Sequence, residues 1–471
     1  MNEKTDNVSN VGWLTLIIVS LGVFILSIDV SFLNVAITTL VHDLHTNFVT
    51  IQDIIVVYVL VLASLTLLSG ELQKVFGRKR TFLMGAVIYG IGTLIAALSI
   101  NSTMLLLGWS ILEGIGGAFM LVSASSIVVG SYSGERRAYA LGIISSMSAG
   151  AAVLGPFIGG SLTTYFTWRY AFGLEFIIVL VILLFSRSIL SFPKTLTWKD
   201  INIVGALNSA IGIVLFVYGF IVLNNPTTQY LSPYFITAGI ILLIIFYLNQ
   251  RNRIKNGEHP LVDVRIFQDY RFDLGNMTRI IISLMSGGII FIVPVFVQTV
   301  LGFSALTTGF LFAALAAPRF IMAYATGFLS KRFQPRYIIS FGFLIALIGS
   351  IYLISTFSTH TTLLQMVLGM ASIGFGVGII FPSSSNLLFT DISRDKQPDA
   401  SAVMNTLNNL STSIGTAILG FILLMGTYNA LSVLKLIGGI TNAFYVIVIM
   451  LVFGIIISQF IPPYKRTNNK I

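Results

Sequence analysis

Long apolar runs alternate with short polar connections along the whole chain of 471 residues. Each run has roughly 20 residues, the length at which an α-helix crosses the hydrocarbon core of a bilayer. The pattern therefore predicts an all-α polytopic membrane protein with fourteen transmembrane helices. The predicted helices cover residues 12–40, 50–72, 80–99, 103–128, 138–163, 168–187, 201–223, 232–250, 273–299, 305–328, 336–357, 361–389, 400–426 and 440–462.

A basic connection occurs twice, at equivalent places in this helix count. Residues 70–80 and 327–336 begin 257 positions apart and carry glycine, leucine, lysine, phenylalanine and a basic residue at the same offsets. They join predicted helices 2 and 3, and 10 and 11, so we predict two related six-helix bundles. Such repeats are typical of secondary transporters, whose sites lie between the repeats. Chance similarity of two short basic loops is the alternative.

The longest polar connection, 251–272, follows the eighth predicted helix and shows no pattern of regular structure. Predicted helices 7 and 8 would then form a pair inserted between the two bundles. The predicted boundaries are 12–187 for the N-terminal bundle, 201–250 for the inserted pair, 251–272 for a cytoplasmic linker and 273–462 for the C-terminal bundle.

Composition agrees with a membrane protein, because 56% of the residues are hydrophobic and 9% are charged, against about 25% charged in soluble domains. The chain has no cysteine and four scattered histidines, which gives no disulfide framework and no metal cluster. A phosphate-binding loop of the Walker type, a nucleophile elbow and a zinc-binding helix are all missing. We therefore predict neither an ATP-driven pump nor an enzyme, and no cofactor or metal.

The lysines and arginines behind the net charge of +10 are distributed according to the predicted membrane topology. Of the 27 lysines and arginines, 23 fall in alternate connections, which the excess of positive charge in cytoplasmic loops assigns to the cytoplasm. Arg169 and Lys435 lie on the opposite side, and Arg279 and Arg319 lie inside predicted helices. We predict a monomeric multi-pass protein of a bacterial inner or plasma membrane, with both termini cytoplasmic, in contact with lipid and without a nucleic-acid partner.

Four segments carry a resemblance. They are residues 26–36 in predicted helix 1, the basic loop 70–80, residues 150–160 in predicted helix 5, and residues 168–172 at the start of predicted helix 6. On these segments the chain resembles the major facilitator superfamily, and within it the fourteen-helix drug:proton antiporter group. The resemblance implies alternating access and proton antiport, and the helix-5 segment implies export.

The helix-5 segment also has a direct physical meaning. Gly155, Gly159 and Gly160 leave a surface without side chains at helical spacing, and Pro156 removes one backbone hydrogen bond. A moving interface between bundles and ordinary tight packing both fit this pattern. The predicted conformational residues of the chain are Gly70, Lys74, Gly77, Arg78, Gly155, Pro156, Gly159, Gly160 and Lys331.

Two departures from the family pattern matter. Lys74 and Lys331 stand where the resemblance implies an aspartate that latches the cytoplasmic side, and a lysine cannot act as that anion. Ser110 stands where the family has an arginine tied to proton coupling, and Glu113 stands where it has glutamine. A latch would need other acidic partners, for which the candidates are Glu71, Glu135 and Asp391.

Charged residues inside a membrane are costly, so they usually face the protein interior and have a role. Asp29 and Glu113 lie within predicted helices 1 and 4, and we predict that they carry the coupling protons. Structural pairing with a neighbouring helix is the alternative. Glu175 lies nearer the outer end of its predicted helix, where a structural or vestibular role is expected.

Arg279 and Arg319 are the two cations within predicted helices. Arg279 lies about two turns from the cytoplasmic end and is expected to extend its head to the interface, whereas Arg319 follows Pro318. If both line the cavity, an anionic or zwitterionic substrate is favoured. Asn405, Asn408 and Asn409 share one helix face that lines a passage or bonds helices together. The predicted substrate-cavity residues are Asn34, Glu175, Arg319, Gln298, Asn405 and Asn409.

These patterns predict a secondary active exporter of small amphipathic compounds, a multidrug efflux protein that exchanges substrate for protons. A dedicated transporter of one small metabolite, with anionic metabolites included, is the first alternative. The second is a receptor or scaffold that transports nothing.

Overall fold

A computed structural model describes residues 13–132, 134–192, 194, 202–224, 227–393, 396–425 and 433–463. Regular structure within these ranges is entirely helical, which confirms the all-α prediction. Each of the fourteen predicted apolar runs lies on a helix, and we number these helices accordingly. They are α1 Trp13–Phe32, α2 Phe48–Phe76, α3 Arg78–Ala97, α4 102–131, α5 Gly134–Tyr165, α6 Arg169–Leu184, α7 Ile203–Ile221, α8 Ser232–Lys255, α9 Tyr270–Val295, α10 Ala305–Arg332, α11 Pro335–Thr356, α12 Leu363–Phe389, α13 Gln397–Leu424 and α14 Val433–Gln459.

Several helices are not regular from end to end. Helix α4 contains π-helical turns over Leu106–Glu113, and α9 continues into further π-helical turns over Phe296–Val300. After α1 the chain forms a 3₁₀ turn, Leu33–Ala36, and a short helix, Ile37–Asp43. The single predicted run 12–40 therefore contains three helical pieces.

Within the described residues, eleven helices are long and apolar enough to cross a membrane. They are α2–α4 and α7–α14, judged by length and composition. The apolar part of α1, Trp13–Asp29, is shorter, and α6 has 16 residues. A polytopic membrane protein is thus established, whereas the count of fourteen spans stays a prediction for α1, α5 and α6.

By its contacts the chain divides into two compact units, of which unit 1 comprises residues 1–262 and 293–310. In unit 1, α1 packs on α5, α3 packs on α4 and α6, and α7 packs on α8 and α2. Glycines allow the closest approach. A Cβ atom on Gly116 of α4 would lie 2.5 Å from the Tyr89 backbone nitrogen of α3. The buried aromatic side chains Phe82 and Tyr89 lie in the apolar cluster that these helices share.

Unit 2 comprises residues 263–292 and 311–471. In it, α11 packs on α12 and α14, and α13 packs on α14. Gly342 and Gly376 bring α11 and α12 together, because a Cβ atom on Gly376 would lie 2.4 Å from the Gly342 carbonyl oxygen. Gly374 and Gly378 of α12 do the same for α10.

The connection 251–272, which was expected to lack regular structure, is partly helical, so that expectation is wrong. Helix α8 runs to Lys255, and Val264–Gln268 forms a 3₁₀ helix. Charges stabilise the 3₁₀ helix within unit 2. The Asp263 carboxylate lies 2.7 Å from Arg265 Nη2 and 3.1 Å from Lys396 Nζ, and the Asp263 backbone N–H donates to Asp399.

The Asp263 network predicts a pH-dependent contribution to stability. Hydrogen bonds from Arg265, aided by Lys396, lower the pKa of Asp263 from 3.8 to about 2. A carboxyl group whose pKa is lower in the folded than in the unfolded protein stabilises the fold at pH values above the unfolded-state pKa. This stabilisation is lost as the pH falls from about 4 to about 2 and Asp263 takes up a proton. We expect Asp263→Asn to cost about 1–2 kcal/mol at pH 7 and to lower the Tm of the detergent-solubilised protein.

The matched control is Asp391→Asn, because Asp391 also pairs with an arginine, Arg271, but its side chain is 52% exposed. An exposed ion pair contributes at most about 1 kcal/mol, so its Tm change should be smaller. A gap between wild type and Asp263→Asn that stays constant down to pH 2 would contradict the assignment.

Candidate functional site

Three carboxyl groups from different helices of unit 1 converge in its interior. Asp29 of α1, Glu113 of α4 and Glu175 of α6 each place one carboxylate oxygen within 4.8 Å of the other two. Their exposed fractions are 0%, 0% and 1%. We call these three residues the carboxyl cluster.

The π-helical turns of α4 position Glu113 in this cluster. π-helical turns insert extra backbone into an α-helix and change the direction of the side chains that follow, and they are frequent at functional sites. Trp109, Ser110 and Glu113, all within these turns, are buried. The turns also lie against α3, where a Cβ atom on Gly92 would be 2.7 Å from Glu113 Cγ and 2.6 Å from the Gly108 carbonyl oxygen.

Aromatic donors orient two of the carboxyl groups. Trp109 Nε1 donates to Asp29 Oδ1 over 2.8 Å, and Tyr89 Oη donates to Glu175 Oε2 over 2.9 Å. The Tyr58 ring stacks on Trp109 with ring centroids 5.1 Å apart and an interplanar angle of 15°. The indole is thereby fixed by stacking on one side and by the carboxylate at its edge.

The remaining oxygens of the cluster have few partners. Asp29 Oδ2, Glu175 Oε1 and both Glu113 oxygens make no hydrogen bond of normal geometry to the described residues. No lysine, arginine or histidine of the described part of unit 1 forms an ion pair with them. Two ionised carboxylates this close repel by roughly 3 kcal/mol at an effective dielectric constant of 20, so protons or a bound cation must neutralise most of the charge.

A small cavity adjoins the cluster at Glu175. Its volume of about 10 Å³ is close to the minimum that one water molecule needs. Apolar side chains form most of its wall, so Glu175 is the polar group that a water there would meet. The lining residues are Ile28, Phe32, Ile158, Ala171, Leu174, Glu175 and Ile178.

The sequence identified part of this site. Asp29 and Glu113 were predicted to act together, and they lie together. Glu175 was expected nearer the outer end of its helix, yet it is buried in the same cluster. Trp109 and Tyr89 were missed, although Trp109 precedes Glu113 by four residues and so shares its side of a helix.

A second group of charged side chains lies in unit 2. Arg279 of α9 and Arg319 of α10 both lie over the ring of Phe381 in α12, with Cζ atoms 3.8 and 5.0 Å from the ring centroid. Arg279 is 2% exposed, and it donates to Ser385 Oγ over 2.5 Å and to Asn408 Oδ1 over 3.3 Å. The expectation that Arg279 extends to the membrane interface is therefore wrong.

The other predicted cavity residues differ in how their side chains are used. Gln298 donates to the Val35 carbonyl over 2.7 Å and also forms hydrogen bonds with Thr38 and Thr308. These bonds connect residues 293–310 of unit 1 to the segment that follows α1. Asn405 and Asn409 are partly buried on α13, whereas their neighbour Asn408 is the one that contacts Arg279. The side chain of Asn34 lies outside the described residues.

The first basic loop makes specific contacts. Gly77 ends α2 with φ +90°, a conformation that favours glycine. Arg78 donates to the Ser126 carbonyl over 2.7 Å and lies over the Phe192 ring.

Lys74 forms an ion pair with Glu71 on its own helix, with a distance of 2.5 Å from Nζ to Oε1. Because this pair lies within one helix, a cytoplasmic latch through Glu71 or Asp391 stays a prediction. Gly70 has open space beside it. The side chains of Glu135 and Lys331 lie outside the described residues.

The glycines of the helix-5 segment meet backbone atoms. A Cβ atom on Gly159 would lie 2.7 Å from the Phe32 carbonyl oxygen, and one on Gly160 would lie 2.7 Å from the Ala305 carbonyl oxygen. Gly155 and Pro156 are buried beside them. Close packing within unit 1 is therefore a fact, and a role in conformational change stays a prediction.

The fold and the buried charges define an all-helical polytopic membrane protein of the transporter type. The sequence model of the Major Facilitator Superfamily matches residues 19–416, with a further match over 277–470. The chain therefore belongs to the Major Facilitator Superfamily, and it is a secondary transporter. The prediction that it is not an enzyme is confirmed by this membership.

Its curated relatives are distant. The chain is 25% identical to the methylenomycin A resistance protein of Bacillus subtilis (strain 168), over 89% of each chain. It is 26% identical to the lincomycin resistance protein LmrB of Listeria innocua, with 92% of this chain and 93% of that protein covered. It is also 26% identical to the riboflavin transporter RibZ of Clostridioides difficile, with 86% and 87% covered.

Among solved structures, the human organic anion transporter MFSD10 (TETRAN) has a similar fold. The TM-score is 0.62 at 14% sequence identity, with 95% of this chain and 99% of that chain covered. At this identity the comparison supports the fold alone.

The close contact of α3 with α4 predicts an effect of Gly92→Ala. The new methyl group would meet the Gly108 carbonyl oxygen and the Glu113 backbone, so the helices must separate, at a cost of about 1–3 kcal/mol. We expect a lower Tm by differential scanning fluorimetry. The matched control is Gly173→Ala in α6, where no heavy atom lies within 4 Å and alanine favours the helix. Equal Tm changes for both variants would refute the contact.

Proposed function

We propose that this secondary transporter exports small amphipathic compounds in exchange for protons, and that Asp29, Glu113 and Glu175 carry the coupling protons. The observation that carries this proposal is the convergence of three buried carboxylate oxygens within 4.8 Å, without a basic ion-pair partner in the described part of unit 1. Carboxyl groups buried within the helices of a transporter are the usual means of loading and releasing protons.

The contacts support different roles for the three carboxyl groups of the cluster. Trp109 donates to Asp29 and Tyr89 donates to Glu175, so both carboxyl groups keep fixed directions while their protonation changes. Glu113 has no such donor of normal geometry, and it is the group most dependent on a proton for neutrality. The cavity beside Glu175 supports entry or exit of the proton through one water molecule.

Protonation and conformation are linked in this proposal. Loss of a proton leaves an uncompensated charge in a packed, apolar region, which raises the free energy of the arrangement described here. Protonation therefore stabilises this arrangement, and deprotonation favours another one. That difference is what a transporter needs in order to convert a proton gradient into movement of substrate.

The substrate class and the direction rest on similarity. The names of two relatives describe resistance to methylenomycin A and to lincomycin, and the helix-5 segment 150–160 resembles that of exporters. The name of RibZ describes riboflavin transport, which favours the alternative of a dedicated transporter. We further propose fourteen spans, with α1, α5 and α6 included, and a monomer in a bacterial plasma membrane with both termini cytoplasmic.

Proton coupling is tested with Asp29→Asn, Glu113→Gln and Glu175→Gln in proteoliposomes that contain a pH-sensitive dye. Lincomycin, ethidium and riboflavin serve as probes. Because each change removes one titratable group at nearly constant volume, we expect substrate-driven proton movement to fall at least about tenfold, while the wild type shows it with at least one probe.

Glu258→Gln is the matched control, since Glu258 is an exposed carboxylate in the connection after α8. It should keep the wild-type rate. Probe transport without proton movement in the wild type, or wild-type exchange in all three cluster variants, would refute antiport through this cluster. If no probe moves at all, the alternative of a dedicated transporter for another small metabolite gains support.

A further inference from the structure

The two arginines of unit 2 share one aromatic ring. The Cζ atoms of Arg279 and Arg319 lie 3.8 and 5.0 Å from the Phe381 centroid, so the two guanidinium groups are no more than about 9 Å apart. An arginine stays charged under all physiological conditions. Two positive charges therefore lie close together within the membrane-spanning helices of unit 2.

Among the described residues of unit 2, the ion pairs do not include Arg279 or Arg319. The sequence has no aspartate or glutamate from 274 to 390, nor after Asp399. The acidic residue nearest in sequence is Asp273, which lies in the first turn of α9, six positions before Arg279. The ion pairs that the described residues of this unit form involve Asp263 and Asp391 instead. Holding unpaired charge in such a region destabilises the folded protein unless a counter-charge is bound.

Neutral groups satisfy Arg279 but not Arg319. Arg279 donates to Asn408, to Ser385 and to the Phe381 carbonyl, all of which lack a charge. Arg319 is partly buried, and among the described residues its side chain contacts the Phe381 ring and donates no hydrogen bond. The donors of its guanidinium are thus available to a ligand.

Close backbone packing positions Arg319. Gly374 and Gly378 occupy one face of α12, and Cβ atoms there would lie 2.0 Å from the Leu315 carbonyl oxygen and 2.4 Å from the Arg319 carbonyl oxygen. Pro318 lies inside α10 immediately before Arg319. The arginine is therefore carried by a tightly packed helix, which preorganises it against Phe381.

We propose that Arg279 and Arg319 form an anion site on Phe381, and that this site binds the carboxylate, sulfonate or phosphate of an amphipathic organic anion. Arginine forks match the geometry of such oxyanions and bind them through charge-assisted hydrogen bonds. Both guanidinium groups lie against this ring, which also offers an apolar surface to the organic body of such a ligand. This inference rests on the proposed transport function and names its substrate class.

The test measures binding of three probes that share one ring system. They are 2-naphthalenesulfonate, the neutral 2-naphthalenesulfonamide and the cationic 2-naphthyltrimethylammonium, titrated by calorimetry into the full chain in phosphatidylcholine nanodiscs. We expect the sulfonate to bind at least about tenfold more tightly than the other two, since a hydrogen bond to a charged group is worth roughly tenfold or more in affinity.

Arg319→Gln should remove this preference, and Arg319→Lys should restore part of it, because lysine keeps the charge but lacks the fork. The matched control is Arg336→Gln. Arg336 is also partly buried and also lies over an aromatic ring, that of Tyr337, at 4.5 Å, yet it belongs to the start of α11. It should leave the affinity for the sulfonate unchanged.

Equal binding of all three probes, or a preference for the cation, would overturn the proposal. So would a sulfonate affinity that is the same in wild type and Arg319→Gln. Loss of binding when phosphatidylglycerol replaces part of the phosphatidylcholine would show that an anionic lipid, and not a soluble substrate, occupies the site, and would also overturn the assignment of a substrate class.

The outcome is separable from that of the proposed function. Selective sulfonate binding without proton movement would reject the antiport and keep the anion site. Proton exchange driven by ethidium in a protein that never prefers the sulfonate would do the reverse.

Discussion

The cost of holding carboxyl groups away from water is the constraint on which unit 1 depends. Asp29, Glu113 and Glu175 come from three helices, and each is almost completely buried. Without basic partners in the described part of this unit, their arrangement requires protons or a cation, together with donors such as Trp109 Nε1. The packing of α1, α4 and α6 around this cluster therefore depends on its protonation. The aromatic donors Trp109 and Tyr89 fix the directions of the Asp29 and Glu175 carboxyl groups.

Glycine contacts allow both charged groups to form. In unit 1 the crossing of Gly92 and Gly108 brings α3 against the π-helical turns that carry Glu113. In unit 2, Gly374 and Gly378 admit the backbone of α10 at Arg319. Small residues serve membrane helices in this way because close approach gains van der Waals contact where the hydrophobic effect gives little. The same chemistry that makes the bundle compact also fixes the direction of its charged side chains.

Much of the fold followed from sequence because the length of an apolar run is a strong signal. All fourteen runs lie on helices, and Asp29 and Glu113 were recognised because charge is rare in such runs. The spacing of Trp109 and Glu113 places both on one side of a helix, but the π-helical turns of α4 have no signature in the apolar pattern, so the contact of Trp109 with Asp29 could not be derived. The inward position of Arg279 was also missed, since distance from a helix end does not report which side chains surround it. Likewise the Asp263 network depends on Lys396 and Asp399, which are remote in sequence.

The two units hold opposite charges, and this difference bears on what each can bind. The buried ionisable cluster of unit 1 is acidic, whereas the arginine pair of unit 2 forms no ion pair among the described residues. A ligand that neutralises a buried charge recovers part of the desolvation cost already present in the folded protein. For the carboxyl cluster that ligand is a proton or a cation, and for the arginines it is an anion. Carboxyl groups can lose their charge by binding protons, whereas arginines stay charged. The arginine pair therefore depends more strongly on an external ligand. We expect it to select its ligand more strictly by charge than the carboxyl cluster does.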